Sequence, residues 1–145
     1  MEHHSILRVV SKLLIPPIIL YALYVQWHGD YGPGGGFQAG VVFAVAFILY
    51  ALLFGVEALT RVIPPAVLQV LACCGVLIYA GTGVLTMLLG DAFLGYNALG
   101  SDPVHAQEWG ILVVELGVGI TVAAVMMAIF VAFASKNPPI DDEDW

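Results

Sequence analysis

The sequence predicts an all-α integral membrane protein of four transmembrane helices with both termini in the cytoplasm. Three observations carry that prediction. The 145 residues are 61% hydrophobic and 10% charged, with a mean hydropathy of +0.96, a balance for which water is not the main solvent. Four apolar stretches reach the roughly 20 residues that a helix needs to cross a hydrocarbon core about 30 Å thick. The basic residues sort by side: Arg8 and Lys12 at the start of the first stretch, Arg61 between the second and third, Lys136 after the fourth, and none in the two opposite loops. Under the positive-inside rule this places the termini and the central turn inside.

The first span is expected over Val9 to Trp27. It is long, lacks a small-residue cleavage site and is followed by further spans, so it is retained rather than removed as a signal. Pro16-Pro17 lies within it and predicts a kink, or a late start after an interfacial segment. The second span, Phe37 to Leu59, opens with a stripe of Gly36, Gly40 and Ala44 at helical spacing. The third, Ala66 to Leu89, starts behind Pro64-Pro65 and holds the adjacent Cys73-Cys74, which have no metal-ligand spacing and are expected as small packing residues. In the loop Gly90 to Glu108, Asp102 suits an N-cap and Pro103 a first helical position, so the fourth helix is expected to begin outside the bilayer, before its span Trp109 to Phe133. That span carries Ala124, Ala128 and Ala132, and such small-residue stripes let helices pack closely, within this chain or against other subunits. Pro138-Pro139 ends it. Residues 1–134 are therefore expected as one four-helix domain and residues 135–145 as an acidic cytoplasmic tail containing Asp141 to Asp144.

The segments are apolar all round, which excludes the alternating pattern of a membrane β-barrel. Tyr21, Tyr24, Trp27, Tyr31, Tyr96 and Trp109 gather toward the predicted outer interface, as an aromatic belt does. The net charge of −7, part of it in the tail, makes nucleic acid an unsuitable partner. No haem or cluster ligand set is visible, no cofactor is expected, and the adjacent His3 and His4 make no metal site.

The first outer loop and the start of the second helix run His28-Gly29-Asp30-Tyr31-Gly32-Pro33-Gly34-Gly35-Gly36-Phe37-Gln38-Ala39-Gly40. Consecutive glycines cost conformational entropy unless the backbone needs positive φ or passes very close to something. The run predicts a tight, preorganised turn exposing backbone N–H groups beside Gln38. A phosphate loop is excluded, since no Lys-Ser/Thr follows and no strand precedes.

In Pro33-Gly34-Gly35-Gly36-Phe37-Gln38 and Gly40, placed after His28-Gly29 between the first and second of four spans, the chain resembles the MnhB family, small membrane subunits of the Mrp-type multisubunit Na+/H+ antiporter. Ala39 stands where members often carry glycine. The resemblance implies a subunit with no transport activity alone, which joins larger antiporter subunits in a prokaryotic plasma membrane to exchange Na+ for H+. It implies equally that similar subunits serve hydrogenase-like and sulfur-reducing complexes.

A charge inside a span is a functional hypothesis by default. Glu115 is expected clearly inside, one heptad below Glu108, and is read either as a proton or Na+ site between subunits or as a hydrogen-bonded anchor. Glu57 precedes Arg61 by four residues and is expected as an interfacial ion pair, with a transport role as the alternative. His28 and His105 are expected at the outer interface, where an imidazole either senses pH or is merely solvated. The leading expectation is an accessory, noncatalytic subunit that lines or seals part of an ion path. Its rivals are a structural membrane subunit of a redox-driven ion pump and an autonomous four-helix exporter, the latter lacking a mid-depth acid in its first three spans.

Overall fold

A computed structural model describes residues 2–29 and 34–135 of the chain. Asp30, Tyr31 and Pro33, Lys136 with the acidic tail, and the side chains of His3 and His4 lie outside the described residues. Regular structure among the described residues is helical: α1 Glu2–Trp27, α2 Gly36–Phe54, α3 Val56–Val62, α4 Pro65–Leu88 and α5 Pro103–Ala134, with a 3-10 turn at Tyr96–Leu99. Four of these, Ile6–Trp27 within α1, then α2, α4 and α5, are long and apolar enough to cross a membrane.

Two boundaries depart from the sequence expectation. α1 runs as one helix through Pro16 and Pro17, so it does not start late. The second span ends at Phe54 rather than Leu59, because Gly55 takes φ 93° and ψ 152°, a conformation that breaks the helix and that L side chains rarely adopt. The chain then forms the short α3, and Glu57 and Arg61 sit on this connector instead of on α2. The expected start of α5 holds. Asp102 Oδ1 accepts the Val104 N–H at 3.0 Å, and Pro103 occupies the first turn. At 32 residues α5 is roughly 48 Å long at 1.5 Å per residue, longer than a hydrocarbon core is thick.

α5 is the centre of the bundle. It packs extensively against α2 on one side and α4 on the other, whereas α1 packs on α2 and barely reaches α5. Small residues make these approaches possible. A Cβ on Gly40 would stand 2.6 Å from the Gly119 carbonyl oxygen, and one on Gly36 would collide with the Glu115 carbonyl oxygen. Ala44 is fully buried and packs with Leu68, Ala123 and Met127, so the α2 stripe is spent within this chain. Below it, Ala51, Leu59 and Val131 close the end of the bundle that holds α3. Cys73 and Cys74 correct an expectation: both are exposed on α4, because the Gly75 face of that helix is the one turned to α5.

The two ends of the bundle differ in chemistry. At the α3 end, Arg8 and Lys12 lie over the Phe54 ring, with Cζ and Nζ at 6.0 and 5.2 Å from its centroid, near the connector that carries Arg61. At the other end the α4–α5 connection is a built structure. The fully buried Thr86 hydroxyl shares its one proton between the carbonyls of Gly83 at 2.8 Å and Ala92 at 3.1 Å and accepts the Leu94 N–H at 3.0 Å. Phe93 fills the space left by Gly83, and the Tyr96 ring fills that left by Gly110. Burial, with a smaller contribution from Tyr79, pushes the Tyr96 phenol above its usual value.

Candidate functional site

The candidate site lies where the turn before α2 meets α5. Gly34, Gly35 and Gly36 are glycine for three different reasons. A Cβ on Gly34 would press on Val25 Cγ1 at 3.2 Å and on the Val25 carbonyl oxygen at 3.3 Å. Gly35 has φ 125°, and its carbonyl accepts the Ala39 N–H at 3.0 Å, which starts α2. Gly36 already lies in the helix and rides on the backbone of α5 at Glu115. Positive φ at Gly35 and close approach at Gly34 and Gly36 are therefore both found where the chain enters α2, while the rest of the expected turn, residues 30–33, lies outside the described residues.

The Glu115 side chain points into this turn. Its Oε1 would stand 2.8 Å from a Cβ on Gly35, and its Oε2 2.7 Å from one on Gly29. Glu115 is partly buried and has a partner. One turn further along α5, Gln26 of α1 brings its Oε1 against Gly119, so α1 and α2 both meet α5 between Glu115 and Gly119. Beneath them is an apolar cavity of about 290 Å³ lined by Ala22, Gln26, Gly40, Leu71, Gly119 and Ala123 among others.

Other sequence-predicted residues are placed apart from this cluster. Glu108, two turns above Glu115, is exposed, as are Phe37 and Gln38, which border a shallow depression with Tyr21 and Val25. His28 is exposed and stacks on Tyr24 with ring centroids 4.1 Å apart. Its Nδ1 lies 3.0 Å from the Tyr24 carbonyl, which can only accept, so the proton is on Nδ1. His105 Nδ1 pairs with Asp102 Oδ2 at 2.8 Å, tying the imidazole to the helix cap. Glu57 and Arg61 meet at 3.8 Å with side chains 91% and 82% exposed, a solvated surface pair. Among the described residues no group of His, Cys, Asp and Glu is arranged to hold a metal ion.

Residues that sequence reasoning missed are Gly29 as a contact of Glu115, Gln26, Gly119, and the Gly75–Gly117 approach between α4 and α5, where Thr121 donates to the Gly117 carbonyl at 2.9 Å. Glycine and threonine inside otherwise apolar spans were the available signal.

Residues 6–128 match the family model described as the domain related to the MnhB subunit of the Na+/H+ antiporter. A relative from Staphylococcus aureus strain MRSA252, provisionally named antiporter subunit mnhB2, is 30% identical over 136 residues, covering 92% of this chain and 96% of its own. The protein of the same name from strain Newman is 31% identical over the same shares of both chains.

Proposed function

Since the chain belongs to the MnhB family of antiporter subunits, we propose that it is an accessory subunit of a multisubunit Na+/H+ antiporter in a prokaryotic plasma membrane, helping to form or seal an ion path between subunits. It is a multi-pass membrane protein and a transporter component rather than an enzyme. One observation carries the accessory role: the acid deepest within its spans, Glu115, is held under the chain's own outer turn rather than in a polar channel. The adjoining cavity is lined almost wholly by apolar side chains. An acid within a span that serves as a coupling site faces a water-filled cavity or another polar partner. This chain supplies a carboxylate at one depth, and partner subunits supply the rest of the path for Na+ and H+.

The sorting of Arg8, Lys12 and Arg61 to one end supports an orientation with that end, and both termini, in the cytoplasm. Labelling a cysteine at position 102, but not one at position 61, from outside intact cells checks it. The assembly itself is tested by purifying the tagged chain from its native membrane. Recovery with larger antiporter subunits is expected. Recovery with redox-cluster proteins instead would move the chain to a hydrogenase-like pump, and a transport-competent homodimer would make it an exporter.

A further inference from the structure

We propose that Glu115 and the outer-turn glycines form a steric interlock, in which the Glu115 carboxylate fills the volume that missing side chains leave at Gly29 and Gly35 and so fixes the turn on α5. Glu115 is then a positioning residue for the start of α2, whether or not it also meets the transported ion. This goes beyond the family assignment and does not depend on it.

The geometry is specific. Both carboxylate oxygens stand within 3.0 Å of where a Cβ on Gly29 would be, and Oε1 within 2.8 Å of where one on Gly35 would be. The Glu115 backbone does the same to Gly36. One residue of α5 thus occupies side-chain space at three positions of the turn, by its movable carboxylate at Gly29 and Gly35 and by its fixed backbone at Gly36. A carboxylate in a span is tolerated only where other polar groups replace its water. Backbone stripped of side chains brings such groups close, which gives one physical reason for glycines and an acid to be found together.

The three glycines make the proposal testable, because they differ in what a methyl group would meet. At Gly29 the obstruction is the Glu115 side chain, with the Gly35 Cα next at 3.0 Å. Gly35 is obstructed by the side chain and also by its φ of 125°, and at Gly36 the obstruction is the Glu115 backbone. Shortening Glu115 therefore relieves the closest contact at Gly29, leaving the 3.0 Å approach to the Gly35 Cα, and relieves neither the φ at Gly35 nor the backbone contact at Gly36.

The readout is the melting temperature of the full chain purified in detergent, which is independent of any antiport activity, together with its recovery with partner subunits. Gly29→Ala is expected to lower the melting temperature by several degrees. Adding Gly29→Ala to Glu115→Ala should lower the melting temperature by much less than Gly29→Ala lowers it in the wild type. Glu115→Asp, which withdraws the carboxylate by one methylene and keeps its charge, should also suppress the Gly29→Ala defect and serves if Glu115→Ala is too unstable to purify. Neither Glu115 variant should suppress Gly35→Ala or Gly36→Ala. A Gly29→Ala chain that melts like wild type, or a defect that simply adds to that of Glu115→Ala and Glu115→Asp, overturns the interlock.

Discussion

Gly75 and Gly117 face each other across the α4–α5 contact so closely that neither has room for a side chain: a Cβ on Gly75 would stand 2.6 Å from the Gly117 carbonyl oxygen, and one on Gly117 would stand 2.9 Å from that of Gly75. In lipid, where apolar burial gives helices little reason to associate, such backbone contact is what joins them. Gly75→Ala and Gly117→Ala should each destabilise the bundle by about 1–3 kcal/mol, the usual cost of overpacking. Gly81 on the same helix has nothing within 4 Å of its Cβ position, so Gly81→Ala should be neutral or stabilising by up to ~1 kcal/mol. Melting in detergent checks the contrast. Equal effects at Gly75 and Gly81 would mean that the α4–α5 approach is not close.

Thr86 should hold the α4–α5 connection together. Thr86→Val keeps the shape of the side chain but leaves the Leu94 N–H without its acceptor and the Ala92 carbonyl without its hydroxyl donor, an expected local cost of about 1–3 kcal/mol. Amide hydrogen exchange over residues 89–95 should speed up while that of α2 does not change. Unchanged protection there would show that the loop does not depend on the hydroxyl.

Glu57 on the α3 connector and Glu115 within α5 should behave differently in the assembled complex. Glu57→Ala removes one half of an exposed ion pair and should leave exchange within about twofold of wild type, since such pairs contribute little. Glu115→Ala should lower exchange several-fold and Glu115→Asp less. Wild-type assembly and exchange in Glu115→Ala would leave that residue neither an anchor nor part of the ion path.

The spans were legible because twenty apolar residues between charges have few folded fates, and the cap at Asp102-Pro103 because its chemistry is local. The break at Gly55 was not, since Val56 and Leu59 continue the apolar run and hide a change that only the backbone makes. Helix order was equally hidden: a helix apolar on all sides does not announce which face meets protein, which is why Cys73 and Cys74 were expected in the packing and are found outside it. The glycine run and an acid within an apolar helix were each visible as anomalies. Their meeting was not, because Gly29 and Glu115 are more than eighty residues apart in the chain and only the fold of α5 against α2 joins them.

The proposal that this chain works only as part of a larger antiporter is tested most directly by cation-driven proton movement in everted vesicles from cells lacking their own antiporters. Three membranes are compared: the co-purifying partner subunits with this chain, the same subunits without it, and the chain alone. Na+ should drive proton movement in the first, little or none in the second and none in the third. Exchange by the chain alone, or full exchange without it, would contradict the assignment.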